Sequence, residues 1–370
     1  MTQAGKAEAE LAGGFRRLRV VAKVRESATI TSFHLEPSQP DGWLDYRPGQ
    51  FLVFRIPLDR SGAFVLRNYS VSSCGDQGRY RISVKREPAA ARDAPVGFAS
   101  NFLHDEVKVG DELLAAGPRG TFVLDETSTR PVVLIGGGVG LTPLLAMFAK
   151  VASSSDRRAY FIHACDNGDV HALADEMRGL STARAGLTLH FCYRFPTERD
   201  RSSRVFHSEG TVTRALLQSI LPLDDYDFYL CGPPAFMRSV YGSLTSLGVP
   251  SGRIAYEFFG PATVLSAPEE AGEGALPIPD ADGTAGDVMV EFRKSGRRAA
   301  WDDSAESLLD FAEKLGLTPD FSCRAGICST CKSRLLSGEV SYFEEPLDAP
   351  QEDEVLLCCA RPVGSVVVDI

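Results

Sequence analysis

No run in this 370-residue sequence is long and apolar enough to span a bilayer. The longest apolar stretch, Pro131 to Phe148, is interrupted by four glycines and a second proline. The opening residues, MTQAGKAEAELAGG, carry no apolar segment of the kind a secretory leader needs. The expectation is therefore a cytoplasmic protein with no membrane partner. Basic charge is also scarce: 39 Lys and Arg stand against 49 Asp and Glu, a net charge of −10, which argues against nucleic acid as a ligand. Internal repeats are lacking. The six histidines (His34, His104, His163, His171, His190 and His207) are scattered without metal-ligand spacing. No Ser–His–Asp signature stands out, so hydrolytic chemistry is not expected, and Asp175 and Glu176 read as a solvated helix face. Cysteine, by contrast, is plentiful. Nine are present, five of them between Cys323 and Cys359 near the C-terminal end. In a chain without a leader that grouping points to metal ligation rather than a disulfide framework.

The chain is long enough for two or three domains. Residues 15–128 read as β-rich, with strand-like runs at 18–24, 50–56 and 80–84 punctuated by Pro48-Gly49, Gly62, Gly75 and Gly78, a pattern that suits an antiparallel barrel. From 129 to 262 the rhythm changes. Strand-like runs at 132–135, 159–163, 187–193 and 227–231 alternate with helical patterns at 173–180, 212–220 and 235–247, which implies a doubly wound parallel sheet. Residues 1–14 read as a flexible tail. Residues 263–286, rich in Pro, Gly, Ala and acid, read as a linker. The last domain, 287–370, opens with a strand at 288–293 and a helix at 307–315. It holds 16 acidic and nine basic side chains, a net charge of −7.

Cys323, Cys328 and Cys331 have x4 and x2 spacing, and Cys358 follows after 26 intervening residues. Four thiolates suit a two-iron cluster, and this spacing departs from the paired C-x2-C of a zinc ribbon. The small residues Ala325, Gly326 and Ser329 let a loop fold closely around the cluster, where backbone N–H groups can reach sulfur. The segment FSCRAGICSTCKSRLLSGEV, with Gly338-Glu339-Val340 and Pro362 beyond it, resembles plant-type ferredoxins. That resemblance implies a β-grasp-like α+β fold. Because the family places its fourth ligand four residues before the proline, it also implies Cys358 as ligand and Cys359 as a packed thiol.

Arg67-Asn68-Tyr69-Ser70 follows a Pro48-Gly49-Gln50-Phe51 turn. An arginine can pair with a flavin phosphate, a tyrosine can lie along the isoalloxazine, and a serine hydroxyl can reach a ring nitrogen. In this context the motif resembles the ferredoxin–NADP reductase superfamily. The resemblance implies that Gly97, Ser100 and Asn101 form a pyrophosphate-side loop. Lys85, in ISVKRE, is either a flavin contact or a solvated strand residue.

Gly136-Gly137-Gly138-Val139-Gly140-Leu141-Thr142-Pro143 lies between a strand and a helix, where backbone can approach a dinucleotide pyrophosphate. Cys231-Gly232-Pro233-Pro234 ends a later strand. In the superfamily this segment borders the nicotinamide, which makes Cys231, with Ser70, a candidate beside the reacting atoms. A small buried core residue is the plainer reading of Cys231. The segments from His163 to Leu173, Tyr193-Arg194, Ser208-Glu209-Gly210 and Tyr256-Glu257-Phe258-Phe259-Gly260-Pro261 resemble the reductase half of flavohaemoglobins over roughly residues 15–265. This implies FAD, NAD(P)H and an aromatic contact to flavin from Phe259, beside Phe258.

No globin domain precedes the module, and a ferredoxin-like domain follows it. The layout resembles reductases of multicomponent oxygenases, whose partners are often Rieske oxygenases. The function implied is an electron-transfer oxidoreductase in which a flavin converts two-electron hydride chemistry into the one-electron chemistry of iron and sulfur. A cytochrome P450 as acceptor, or a redox module without an oxygenase, are the alternatives. FAD is expected over FMN, although phthalate-dioxygenase-type reductases use FMN in the same domain order. The stretch after Tyr193 mixes Arg194, Arg199, Arg201 and Arg204 with Glu198 and Asp200, and the flavohaemoglobin resemblance implies NADH over NADPH. A flexible 24-residue linker would span about 25–30 Å, and the acidic last domain would steer a partner with a basic patch.

Overall fold

The computed structural model describes residues 15–39, 44–58, 64–73, 78–88, 98–259, 288–317, 319–321, 326, 331–344, 346 and 349–370. The tail 1–14, the linker 263–286 and the site candidates Gly97, Gly260, Pro261, Cys323 and Cys328 lie outside these residues. The chain divides into two compact units, Met1–Phe259 and Gly260–Ile370.

In the first unit, an antiparallel sheet is built from β1 (Arg16–Arg25), β2 (Ile30–Pro37), β3 (Phe51–Pro57), β4 (Phe64–Ser70), β5 (Tyr80–Lys85) and β6 (Glu112–Arg119), with β2, β3 and β5 buried over most of their length. The order is β4-β3-β6-β1-β2-β5. A bridge from Val71, just beyond β4, to Ile82 in β5 joins the two edge strands and closes the sheet into a barrel. Phe33, Leu35, Leu52, Phe54, Ile56, Tyr80 and Ile82 fill its interior. Helix α1 (Phe98–Asp105) is tied to Glu87, just beyond β5, by Ser100 and Asn101.

A parallel sheet follows: β7 (Val132–Gly137), β8 (Ala159–Cys165), β9 (Leu187–Tyr193), β10 (Ser208–Glu209), β11 (Asp227–Gly232) and β12 (Ile254–Phe258). Its helices are α2 (Leu141–Ser154), α3 (Ala174–Ser181), α4 (Glu198–Ser203), α5 (Arg214–Ile220) and α6 (Pro234–Ser246). The order is β10-β9-β8-β7-β11-β12, so strand order reverses between β7 and β11. In such sheets ligands bind at the carboxyl ends of the strands beside that reversal. Strands β7 and β8 are nearly continuous apolar runs because both faces are covered. Ile30, Phe122 and Leu124, from or just beyond the barrel strands, belong to the same apolar cluster as Leu144, Met147, Phe148 and Phe161. Barrel and parallel sheet thus share a core.

The second unit has β13 (Met289–Phe292), β14 (Arg297–Ala300), helix α7 (Leu308–Lys314), β15 (Lys332–Ser337), β16 (Val340–Tyr342), β17 (Glu354–Leu356), β18 (Ala360–Pro362) and β19 (Val366–Val368). Its main sheet runs β14-β13-β19-β15-β17, with β13 and β19 parallel. α7 is capped by Ser307, whose hydroxyl accepts from the Asp310 N–H, and it buries Leu308, Leu309, Phe311 and Ala312. This is the β-grasp-like arrangement expected of the last domain. Among the described residues, no helix is long and apolar enough to cross a membrane.

Candidate functional site

In the β3–β4 hairpin Phe51 faces Ser70, Leu52 faces Tyr69, Val53 faces Asn68 and Phe54 faces Arg67. The motif therefore climbs one strand toward the barrel's rim. Arg67 and Asn68 are exposed, Tyr69 is half-buried with its ring 5.8 Å from that of Phe54, and Ser70 is buried. Burial raises the Tyr69 phenol well above its usual range, so it acts as a neutral, flat surface. The hydroxyl of Ser70 is buried and faces the Glu257 carboxyl without forming a well-aligned hydrogen bond. A buried hydroxyl so weakly satisfied retains capacity for a ligand atom, so Ser70 suits contact with a heteroatom ring. Phe51 is buried at the base of the hairpin, where its ring fills the space a side chain at Gly120 would need.

The other barrel candidates are engaged locally. Ser100 Oγ accepts from the Glu87 N–H at 3.1 Å, and the Asn101 side chain bonds both Arg86 (2.9 Å) and the Glu87 carbonyl (3.0 Å). Lys85 pairs with Glu87 at 3.2 Å, with side chains 39% and 52% exposed. A pair that open contributes only about 0–1 kcal/mol, so Lys85 is free to re-pair with an incoming anion.

On the parallel sheet, β7 runs into a single 3-10 turn, Gly138–Gly140, and then directly into α2. Side chains are excluded here by close backbone approach. A Cβ at Gly140 would strike the carbonyl of Cys231 at the end of β11, and one at Gly232 would lie 3.1 Å from the Cα of Gly137. The Phe236 ring closes against both Gly137 and Gly232. Leu141 and Thr142 are buried, and the Thr142 hydroxyl donates to the Val139 carbonyl at 3.0 Å, tightening the first turn of α2. The result is a side-chain-free cradle at a helix N-terminus, at the strand-order reversal, which fits a pyrophosphate. Pro233 is exposed at the mouth of the cradle.

Cys231 is fully buried and pairs across the sheet with Glu257 in β12. Burial, and then the nearby Glu257 carboxylate, push its thiol well above the normal range, so it is neutral. Glu257 has one carboxyl oxygen buried without a partner. Burial pushes its pKa up to about 8, with the Ser70 hydroxyl pulling the other way. Hence Ser70, Cys231 and Glu257, from three strands of two different sheets, form one neutral polar cluster where barrel and parallel sheet meet. A carboxylic acid that keeps its proton at neutral pH can donate a hydrogen bond. Glu257 lies within the Tyr256–Pro261 motif, for which the flavohaemoglobin resemblance implied an aromatic contact and no role for the acid. The available signal was an acid in an otherwise uncharged, partly aromatic strand, IAYEF. Phe259 packs against the shared core, and Phe258 ends β12 opposite Gly232.

Two other sequence expectations need correction. Asp175 is a solvated helix residue, but Glu176 is not: it is half-buried and forms an ion pair with Arg81 of the barrel at 2.6 Å. The helix face looked solvated because its cationic partner lies on the other sheet. The histidines, too, are less scattered than their spacing indicates. The rings of His163 and His171 stand 4.7 Å apart, and His171 Nδ1 lies 2.7 Å from the Tyr193 hydroxyl. Burial keeps both neutral, lowering His163 to about 4. Among the described residues no three His, Cys, Asp or Glu side chains gather as a metal site.

The cluster candidates are seen in part. Cys331 and Cys358 are both buried, and the Gly326 N–H donates to Cys358 Sγ at 3.3 Å. That is the backbone-to-sulfur bond a thiolate ligand accepts. Gly326 has φ +66°, and a Cβ there would lie 2.8 Å from Cys359 Sγ. Cys359 Sγ donates to the Leu356 carbonyl at 3.6 Å. The two neighbouring thiols thus differ in what they face.

The sequence matches the oxidoreductase FAD-binding domain family over residues 17–124, the oxidoreductase NAD-binding domain family over 134–241 and the 2Fe–2S iron–sulfur cluster binding domain family over 291–363. It is 42% identical over 252 residues to a flavohemoprotein of Bacillus cereus, a match covering 68% of this chain and 62% of that protein's length. The flavohem-like FAD/NAD-binding domain of nitric oxide dioxygenase from Vibrio cholerae is 39% identical, with a TM-score of 0.57, covering 66% of this chain and 99% of that one. Phthalate dioxygenase reductase shares the fold across 96% of this chain and 98% of its own, at 22% identity and a TM-score of 0.54. The chain therefore belongs to the ferredoxin–NADP reductase superfamily, as a flavohaemoglobin-type FAD- and NAD-binding reductase module joined to a 2Fe–2S domain, and it is an electron-transferring oxidoreductase.

Proposed function

We propose that this reductase carries electrons from NADH, through FAD and one 2Fe–2S cluster, to a separate oxygenase of the Rieske kind. The observation that carries the reading is the combination and order of the three domains, FAD-, NAD- and 2Fe–2S-binding, along one chain. Phthalate dioxygenase reductase, whose modular structure moves electrons from pyridine nucleotides to [2Fe–2S], has the same order of parts. The boundaries we assign are 15–128, 129–262 and 287–370, with 263–286 as the connection.

The bound flavin supplies the exchange between hydride and single electrons. The protein's residues supply the rest. Arg67 would pair with the flavin phosphate, Tyr69 would lie along the ring, and the Ser70 hydroxyl would reach a ring nitrogen. Gly97, Ser100 and Asn101 hold the pyrophosphate side, with Lys85 within reach of it. Gly137, Gly138, Val139, Gly140, Leu141 and Thr142 cradle the nicotinamide nucleotide. Cys231, Gly232 and Pro233 would border its reacting ring, Phe259 would pack against the flavin, and Phe258, Gly260 and Pro261 are candidates for the same contact. Cys323, Cys328, Cys331 and Cys358 hold the cluster. Preference for NADH is supported by the flavohaemoglobin resemblance; Arg194 is paired with Asp166 at 2.7 Å and Arg201 with Glu209 at 3.0 Å, exposed pairs that offset these arginines without closing them to an anion.

The test is stopped-flow mixing of the NADH-reduced protein with an isolated Rieske oxygenase and, separately, with a ferric cytochrome P450. Rapid reduction of the Rieske centre, slowing as salt is raised, is the expected outcome, because the net −7 of residues 287–370 steers a basic partner. Reduction of the P450 alone, or a kcat/KM larger with NADPH, would overturn the corresponding part of the reading.

A further inference from the structure

Arg81 sits in β5 of the barrel and is only 8% exposed. Its Nη1 donates to Glu176 Oε2 at 2.6 Å and its Nη2 to Glu176 Oε1 at 3.0 Å. Glu176 lies on α3 of the nucleotide-binding sheet, so this two-pronged ion pair crosses from one domain to the other. The same guanidinium also grips the barrel backbone. Nε donates to Ser72 Oγ at 3.1 Å, and Nη2 donates to the Ser72 carbonyl. Ser72 Oγ in turn lies 2.9 Å from Ser83 Oγ, which lies 2.8 Å from Ser32 Oγ, so Ser72 is anchored across β5 and β2. Ser72 is two residues beyond Ser70, the buried hydroxyl that faces Glu257.

One side chain therefore connects the exit of the flavin motif to a helix of the nucleotide domain. Other contacts join the two sheets, among them the Ala28 N–H to the Asp169 carbonyl at 2.8 Å and the Asp125 N–H to Tyr229 Oη at 2.9 Å. Those contacts hold the domains together, but their barrel-side residues, Ala28 and Asp125, lie well away in sequence from the flavin motif. A planar guanidinium with donors in a fixed fork transmits orientation as well as charge.

We propose that the Arg81–Glu176 pair is a positioning element for hydride transfer: it fixes Ser70 and the hairpin behind it relative to the nucleotide cradle, so that nicotinamide and flavin meet at reacting distance. Reacting atoms must stand about 3–3.5 Å apart, and an error of about 1 Å can cost about a hundredfold in rate. This inference rests on the hydride-transfer reading above. Arg81 and Glu176 act through Ser72 and α3 and touch no reacting atom themselves.

The test uses the complete holoenzyme and the substitutions Glu176→Gln and Arg81→Lys. Three quantities are measured: flavin reduction at saturating NADH by stopped-flow, the NADH dissociation constant, and FAD content. The expected result for Glu176→Gln is a fall of at least tenfold in the saturated reduction rate. The dissociation constant should change less than threefold and the FAD complement should be full. Arg81→Lys keeps the charge but not the fork to Ser72, and should fall between Glu176→Gln and the parent. A saturated rate within twofold of the parent, even with a lowered melting temperature, would overturn the proposal, because the pair would then be only a structural tie. A rate that falls in proportion to lost FAD would also overturn it. Failure of the underlying reading looks different: the unaltered protein would not reduce its flavin with either nicotinamide nucleotide.

Discussion

The two units of this chain assemble their chemistry in different ways. In Gly260–Ile370 three of the four candidate thiols sit within nine residues, Cys323 to Cys331, and the fourth is brought back by the turn before β18. In Met1–Phe259 the polar cluster is drawn from β4, β11 and β12, at Ser70, Cys231 and Glu257, and no two of these are close in sequence. A cluster held by a loop needs small residues and a permissive backbone, as at Gly326. A site held between sheets needs each strand in register and the two sheets locked together. The first kind of site fails when a ligand is lost. The second fails when backbone spacing or burial changes.

The sharpest way to separate the units is at the paired cysteines. Cys358→Ser should abolish the visible and EPR signals of the cluster, whereas Cys359→Ser should leave them in place. In both variants NADH-driven ferricyanide reduction at the flavin should continue. Loss of the cluster signals with Cys359→Ser and their retention with Cys358→Ser would reverse the ligand assignment.

A smaller but still large effect is expected at the cradle. Gly140→Ala places a methyl group against the Cys231 carbonyl. The β7 turn must then move away from β11, and kcat/KM for NADH should fall by about a hundredfold, with the cluster spectrum unchanged. Parent-like kinetics would show that the turn can yield, and that the second unit is not alone in tolerating local change.

A third effect, on stability and not on rate, concerns Glu257. Its folded pKa is raised to about 8. The folded protein therefore holds a proton that the unfolded chain releases near the ordinary glutamate value. Stability from this group is fully present below the unfolded pKa and is lost as pH rises through the folded one. The melting temperature of the flavin-binding unit, followed by flavin fluorescence in the full chain, should decline between about pH 4.5 and 8. Glu257→Gln should flatten that decline. An unchanged slope would mean that the carboxyl is ionised in the folded state.

Much of the molecule was legible in the sequence where the signal is local. The glycine-rich turn between β7 and α2, the strand–helix alternation and the plant-type cysteine spacing all act over a few residues, and the expected strands at 80–84 and 187–193 fall within β5 and β9. Short strands such as β12, β14 and β16 to β19 were not marked in advance, because three to five residues carry too little periodicity. The acids were harder still. Whether an acid is solvated depends on what packs across from it. Glu176 follows the exposed Asp175 on α3, and only the approach of β5 supplies Arg81, 95 residues away. Glu257 is in the same position, since its neighbour Cys231 arrives through the parallel pairing of β11 with β12.

By itself, the sequence determined the domain order, the cofactor classes and the motif positions, because those depend on residue type and short spacing. Tertiary structure alone decided which acids are buried, which arginines are already paired, and how the flavin hairpin is tied to the nucleotide sheet. Desolvation and cross-sheet contact belong to the packed assembly of strands and cannot be read from any one of them.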